Sequence, residues 1–453
     1  MELFGTAGIR GSVTARVTPE LALSVGRAAG HAALESDSSA EFVVGRDGRT
    51  SGQGLVAAVE AGLLSAGADV TRIGVVPTPT LAYASQGRRG VMLTASHNPP
   101  TDNGIKMFVD GQEYDRPLEQ DIEARVESET PPVEWDRWGT SDTNDVLDAY
   151  RDTITEFASG HGSAPDELSI AVDCGNGMSA LGTPQVLREM GAHVVTLNAQ
   201  IDGHFPGRES KPTPESLKDL RAFVADGDFD FGIGHDGDAD RIVIVDADGD
   251  VVHEDTVIAI VGEHYVRTSD VDDPVVVTTP NASGRIDERV RAAGGRVERV
   301  RLGALHEGIA SARAAGGDVV FAAEPWKHVH PSLGGWIDGI ASAALISRLV
   351  AESGLDGLRE PVTERPYRKV SVSCPDDAKA TAMGALETSL PDAMDPESVD
   401  TEYGVRLEFA DASWTLVRPS GTEPYIRVYA EADDVDSLVE RVTEVVEAEI
   451  SRA

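Results

Sequence analysis

Thr94-Ala95-Ser96-His97-Asn98-Pro99 follows directly on a short apolar run, Gly90-Val91-Met92-Leu93. A run of this kind reads as a buried strand. The Asn98-Pro99 pair enforces a turn behind it. Ser96 therefore sits on a tight loop after a strand, where backbone amides can face a phosphate. A serine hydroxyl is a poor nucleophile until it is positioned and its charge is managed. Taken alone, the Ser-His pair reads first as a structural turn. Two distant stretches decide otherwise.

Asp236-Gly237-Asp238-Ala239-Asp240-Arg241 follows the β-type run 229–233. Alternation along an extended segment puts its three carboxylates on one side. Such crowding repels, and a hard cation relieves it. An EF-hand needs glycine at its sixth position and glutamate at its twelfth; Arg241 and Ala247 stand there, so that motif fails. Magnesium fits, since it accepts a few carboxylates and completes its shell with phosphate oxygen. A solvated acidic loop is the plain alternative, but Arg241 and the apolar flank 242–245 argue for a site. The second acidic run, 246–250, reads as a hairpin turn without metal. The third stretch is Arg418-Pro419-Ser420-Gly421-Thr422-Glu423-Pro424. Arginine binds phosphate through two parallel bonds, and the hydroxyls of Ser420 and Thr422 and the amide at Gly421 add donors. A hydroxyl, a carboxylate cluster and a phosphate cradle make a phosphoryl-transfer site if they converge.

A chain of 453 residues is too long for one core and suggests about three domains. Strand, helix and strand alternate at 41–45, 54–64 and 70–76, again at 168–173, 184–190 and 193–197, and again at 275–279, 285–293 and 297–301. That order predicts α/β units with mixed, mainly parallel sheets. The last block differs, with a hairpin at 404–409 and 414–418 and a closing helix at 435–450. Candidate linkers are 131–145, which can also be an excursion within the first domain, and the stretch near 359–365. The expected architecture is three similar α/β domains plus a C-terminal α+β domain, around a central cleft. Their expected bounds are 1–160, 161–253, 254–360 and 361–453.

The three stretches together, with Leu3-Phe4-Gly5-Thr6-Ala7-Gly8-Ile9-Arg10-Gly11 at the start, resemble the signatures of the α-D-phosphohexomutase family. That family includes phosphoglucomutases, phosphomannomutases and phosphoglucosamine mutases, and the four-domain reading matches its architecture. The resemblance implies that Ser96 carries the phosphoryl group and that Ser96, Asp236, Asp238 and Asp240 hold Mg²⁺. It implies that Arg10 steadies the phosphoserine and that Lys106 is the general acid/base, a task open to a lysine of lowered pKa. His97 reads as a loop-shaping partner more than a base. Arg241, Arg418, Ser420, Gly421 and Thr422 are expected to bind substrate, with Glu423 and Arg427 holding the loop. Arg46 and Asp47 look structural. The sugar-selecting loop departs from the family's Gly-Glu-x-Ser-Gly-His: here it is Ala323-Glu324-Pro325-Trp326-Lys327-His328. Glu324 and His328 match; Trp326 could stack on a sugar or fill space, and Lys327 could meet a phosphate. The loop 300–304 is altered too. The implied reaction moves phosphate between C1 and C6 of a hexose or hexosamine phosphate through a sugar bisphosphate. A phosphopentomutase is the alternative, followed by a metal-dependent phosphatase or a non-catalytic sugar-phosphate sensor.

No run of about 18 apolar residues exists, so no membrane span is expected. Met1-Glu2-Leu3-Phe4 lacks the basic start and apolar core of a signal peptide, so the expected location is cytoplasmic. With only Cys174 and Cys374, no disulfide framework or cysteine zinc site is implied. The partner expected is a small-molecule sugar phosphate; nothing sets the oligomeric state, and a homodimer stays open. Asp and Glu total 77 against 39 Lys and Arg, a net charge of -38. Such a field repels nucleic acid. The excess is dispersed, and lysine occurs only at Lys106, Lys211, Lys218, Lys327, Lys369 and Lys379. This pattern looks like adaptation to high salt, as in a halophilic archaeon, where screening collapses the repulsion between exposed carboxylates. The expected outcome is unfolding or inactivation in dilute buffer with recovery at molar salt; a melting temperature indifferent to salt rules this reading out.

Overall fold

The computed structural model describes residues 3–5, 8–36, 40–420 and 423–453. Gly421 and Thr422, expected in the phosphate loop, lie outside the described residues. The chain divides into two units, Met1–Glu254 with Trp326–Leu358, and Asp255–Pro325 with Arg359–Ala453.

In the first unit, the leading sheet runs in the order Ile9–Ser12, Asp102–Val109, Arg89–Leu93, Glu41–Arg46, Asp69–Val75, Ser141–Thr143. The last four strands are mutually parallel, while Asp102–Val109 runs antiparallel to both its neighbours. Residues Phe42 to Gly45 are buried without alternation, as expected of a strand covered on both faces. On one face the helices Pro19–Ser36 and Gly52–Ala66 pack on Phe42, Val44, Val91 and Leu93. They meet at glycine. A Cβ on Gly26 would lie 2.2 Å from the carbonyl oxygen of Val59, and one on Gly62 would lie 2.2 Å from that of Leu23.

A second sheet of this unit has the order Ile242–Asp246, Phe231–His235, Ser169–Asp173, His193–Leu197. Its last three strands are parallel, and Phe231–His235 and Ile242–Asp246 form a hairpin. The helix Gly339–Ser353 packs on Leu147–Ser159 and Thr183–Glu189. Its N-cap, Asp338, accepts from Ile340 N and Ala341 N at 3.0 and 2.8 Å, and from Tyr150 Oη and Trp336 Nε1 at 2.9 Å.

In the second unit, Pro274–Thr278 pairs in parallel with Arg296–Arg299 and Asp318–Glu324. The C-terminal sheet is wholly antiparallel, in the order Tyr367–Ser373, Tyr425–Glu431, Trp414–Pro419, Val405–Glu408, Ser398–Asp400. The helices Asp376–Met394 and Val435–Ile450 bury Leu386, Leu390, Val442 and Val446 in the core of that sheet. Arg285 spans two parts of the unit through a buried ion pair, 3.2 Å to Glu431.

The mixed α/β class with a C-terminal α+β block is the architecture expected. Of the two readings of residues 131–145, the excursion within the first domain holds and the linker does not: Val133 N bonds to Ser65 O at 2.9 Å, Gly139 N to Leu64 O at 3.0 Å, and Ser141–Thr143 forms the sheet edge. The helix Asp376–Met394 was not foreseen, because its weak apolar periodicity is interrupted by Pro391. Among the described residues, no helix is long and apolar enough to cross a membrane.

The helix contact at glycine has a measurable consequence. Gly62→Ala drives a methyl group into the backbone of the neighbouring helix, and overpacking of this kind costs about 1–3 kcal/mol. Denaturant titration at molar salt is expected to show that loss; an unchanged midpoint contradicts the close approach.

Candidate active site

Ser96 has φ 50°, a left-handed conformation that a serine holds only when its surroundings impose it. Here a closed ring of bonds imposes it. Ser96 N donates to Thr94 Oγ1 at 2.9 Å, and Thr94 Oγ1 donates to Asp47 Oδ2 at 2.7 Å. Asp47 pairs with Arg49 Nε at 3.0 Å. Arg49 then donates back to the carbonyl oxygens of Ser96 and Asn98, both at 2.8 Å, and of Pro99 and Asp102, at 2.6 and 3.0 Å. Arg49 is fully buried, so one guanidinium replaces water for four carbonyl oxygens of the loop. Asp47 is structural, as expected.

The strand Phe231–His235 delivers the acidic segment to the same place. The segment is a turn and not the extended strand that alternation suggested; Ala239 has φ 64°. Gly237 is obligatory there, since a Cβ would stand 2.6 Å from the Ser96 carbonyl oxygen. The turn gathers one oxygen from each of Asp236, Asp238 and Asp240 within 4.8 Å of one another. All three are buried. Ser96 Oγ donates to Asp236 Oδ2 at 2.6 Å and lies 3.3 Å from His97 Nδ1. Lys106, on the strand Asp102–Val109, places Nζ 2.7 Å from Asp240 Oδ2 and 3.2 Å from Asp238 Oδ2. Glu113 is 3.8 Å from the same nitrogen. Arg241 Nε approaches Asp236 and Asp240 at 3.7 and 3.8 Å.

Charge balance follows from this crowding. Burial, then Asp240 and Asp238, push the Asp236 carboxyl well above its ordinary pKa. Burial opposes ionisation of Asp240 as well, yet Lys106, Lys327 and Arg241 outweigh it and hold that carboxyl low. Asp238 is also held low: burial and Asp240 act against its charge, and Lys106, Arg10 and the Thr78 hydroxyl prevail. His97 is pushed down to about 3 by burial, Arg241 and Arg10, so it is neutral at working pH. Lys106 departs from expectation. Burial lowers its pKa, but Asp238, Asp240 and Glu113 raise it above the ordinary lysine value. In this state it is an acid and not a poised base. Asp238 Oδ1 and Asp240 Oδ1 are buried without a hydrogen-bond partner. Unsatisfied, converging carboxylate oxygens suit a hard divalent cation, so the donor set fits a metal at Asp236, Asp238 and Asp240, with Ser96 Oγ beside it.

The second unit carries a separate set of donors. Arg418 Nη2 donates to Tyr429 Oη at 3.2 Å, and Lys369 lies 5.5 Å over the Tyr429 ring. Lys379 Nζ donates to the carbonyl oxygens of Ser420 and Glu423 at 2.8 and 2.6 Å, gripping both ends of the loop. Arg427 holds Glu423 at 3.2 Å. Arg418 Nε, Ser420 Oγ and Arg427 Nε are buried without a hydrogen-bond partner, which leaves donors for an anion. Glu324 accepts from Gly303 N in this unit.

The rest of the loop 323–328 is less available to a sugar than its sequence suggested. Trp326, at φ 68°, is half-buried and packs against the core of the second sheet, which includes Leu217, Val243 and Val245. His328 is buried, with Nδ1 3.0 Å from Ser342 Oγ, and burial pushes it down to about 3. It is a neutral packing residue. Lys327 bridges to Arg241 and acts on Asp240. Sequence reasoning missed Thr78, Arg49, Lys369, Lys379 and Tyr429.

The ring around Ser96 predicts a kinetic effect. Thr94→Val removes two of its bonds, and a misplaced nucleophile costs up to about 100-fold in rate. Steady-state kinetics are expected to show the loss in kcat with KM far less changed; an equal change in both contradicts a positioning ring.

Comparison with known proteins agrees with this geometry. Family models described as phosphoglucomutase/phosphomannomutase, alpha/beta/alpha domain I, alpha/beta/alpha domain II and C-terminal domain match residues 1–132, 148–249 and 370–448. A phosphopentomutase from Thermococcus kodakarensis is 43% identical over 441 residues, 95% of this chain and 94% of that protein. A probable phosphoglucosamine mutase from Methanopyrus kandleri is 44% identical over 440 residues, again 95% and 94%. The crystal structure of a phosphoglucomutase/phosphomannomutase family protein from Burkholderia thailandensis superposes with a TM-score of 0.85 at 26% identity, covering 99% of this chain and 97% of that one. With matches along nearly its whole length, the chain belongs to the α-D-phosphohexomutase family, enzymes of intramolecular phosphate transfer on sugar phosphates.

Proposed function

We propose that this enzyme moves phosphate between C1 and C6 of a hexosamine or hexose phosphate by way of phospho-Ser96. The observation that carries the reading is the buried cluster in which Ser96 Oγ lies 2.6 Å from Asp236 while Lys106 spans Asp238 and Asp240. In the forward step, the free hydroxyl of a sugar monophosphate attacks the phosphorus on Ser96. The bond from phosphorus to Ser96 Oγ breaks and a sugar bisphosphate forms; Lys106 supplies the proton that Oγ takes up and is restored by the proton that the attacking hydroxyl gives up. After the bisphosphate turns over, its other phosphate returns to Ser96. Ser96, Asp236, Asp238 and Asp240 would hold Mg²⁺, which would supply charge neutralisation at the transferring group. Arg10, whose Nε is buried without a hydrogen-bond partner, supports the phosphoserine, and Arg241 the substrate. Arg418, Ser420, Gly421 and Thr422 take the phosphate that does not react, and Glu324 takes sugar hydroxyls. The rest is positioning.

A pentose phosphate is the second reading. The Thermococcus kodakarensis relative favours it. The dispersed charge of -38 supports a high-salt setting. One experiment addresses these points together: kcat/KM at molar salt against 1-phosphates of glucosamine, mannose, glucose and ribose, with peptide mapping of the active protein. The expected result is phosphate on Ser96, no turnover by Ser96→Ala, loss of turnover on chelation with recovery on Mg²⁺, and a hexosamine or hexose phosphate as the best substrate. A near-normal rate for Ser96→Ala overturns the mechanism, and a preference for ribose 1-phosphate transfers the assignment to the pentose reading.

A further inference from the structure

Asp238 is held differently from its two neighbours. Thr78 opens the helix Thr78–Ala84 and is buried. Its backbone N–H donates to the Asp238 carbonyl oxygen at 3.0 Å, and its Oγ1 donates to Asp238 Oδ2 at 2.7 Å. Lys106 Nζ donates to that same Oδ2 at 3.2 Å. One carboxylate oxygen is thus fully engaged, while Oδ1 is buried with no hydrogen-bond partner. Asp240 repeats the pattern in part: Lys106 takes Oδ2 at 2.7 Å, and Oδ1 has no hydrogen-bond partner, with Arg241 Nε 3.8 Å away. Asp236 accepts Ser96 Oγ on Oδ2 and Arg241 N on Oδ1 at 3.3 Å.

Divalent cations differ in what they ask of a carboxylate. Calcium takes six to eight oxygens at longer range and readily binds both oxygens of one carboxylate. Magnesium is smaller, takes single oxygens at short range and tolerates little angular freedom. A carboxylate that can offer only one oxygen, in one orientation, suits magnesium and handicaps calcium. We infer that Thr78 is a positioning residue that pins Asp238 in this one-oxygen presentation and so makes the site discriminate against calcium. A valine of the same shape would keep the packing and the backbone bond while leaving Oδ2 to the longer bond from Lys106 alone, a looser hold on the carboxylate. The inference rests on the reading that the three aspartates hold a divalent cation.

The test measures binding and not turnover. Metal-free protein in molar KCl is titrated with Mn²⁺ by electron paramagnetic resonance, with Mg²⁺ and Ca²⁺ as competitors, for the native chain, Thr78→Val, Thr78→Ser and Asp238→Asn. Loss of a partner that orients a metal ligand lowers affinity by about 10- to 100-fold. Thr78→Val is expected to lose Mg²⁺ affinity in that range and to lose much less for Ca²⁺, while Thr78→Ser, which keeps the hydroxyl, stays close to native. Native-like Mg²⁺ affinity in Thr78→Val, or an equal loss for both ions, overturns the inference. If Thr78→Val fails to fold, Thr78→Ala takes its place under the same criteria. Asp238→Asn separates the two levels: native metal binding there removes the cation reading itself, whereas lost binding there beside a native-like Thr78→Val removes only the role of Thr78.

Discussion

Three carboxylates whose oxygens lie within 4.8 Å of one another, out of water, cannot all carry charge without cations close at hand. That constraint organises the first unit. Lys106 arrives on an antiparallel strand of the leading sheet, Arg10 on the strand beside it, and Arg241 and Lys327 on the two sides of a bridge at the second sheet. Three cations from distant stretches of chain, with Arg241 next in sequence, surround one acidic turn. The local field explains why neighbouring aspartates are driven in opposite directions, Asp236 toward the neutral acid and Asp240 toward the anion. It also explains why Lys106 is kept protonated despite complete burial. Any doubly charged ion entering this turn redistributes the balance, so proton affinity and metal occupancy are two expressions of one electrostatic sum.

Ser96 has a different support. Its place depends on bonds from backbone to a buried arginine, and few of them involve its own hydroxyl. The ring from Ser96 N through Thr94, Asp47 and Arg49 back to the Ser96 carbonyl fixes both peptide groups of the residue, leaving the side chain free for chemistry. A site built this way separates holding from reacting: the groups that set the geometry are not those whose bonds change.

The sequence made the class of fold legible because its strands and helices alternate with clear periodicity; the helix 435–450 and the strand 193–197 have the bounds that the pattern gave. Ser96 and the aspartates were legible because each stands in a dense local motif. Arg49 and Thr78 were not, since their meaning lies in partners up to 53 and 160 positions away, and nothing in Gly-Arg-Asp-Gly-Arg or Pro-Thr-Pro marks that distance. One signal was read for Lys106 alone and carries further. In a chain that prefers arginine, Lys106 and Lys327 both act on Asp240, and Lys369 and Lys379 both flank the Arg418 loop. Scarcity of a residue type made its positions informative. A motif match also says nothing of which way a side chain turns: here His328 is buried, and Trp326 packs half-buried against the core of the second sheet.

The first unit is discontinuous, leaving off at Glu254 and resuming at Trp326. The helix that resumes it, Gly339–Ser353, supplies Ile340, Ala341 and Ala344 to a core shared with Tyr150, Ile154 and Val186. On the ribosome those partners emerge well before the helix that covers them. Domains generally fold as units during synthesis, but this one must wait with an apolar surface open while the intervening segment is made. Until residue 358 has been translated, the nascent acidic turn and the loop of Ser96 belong to an unfinished body. A net charge that keeps such chains apart from one another therefore serves the growing polypeptide as well as the finished enzyme.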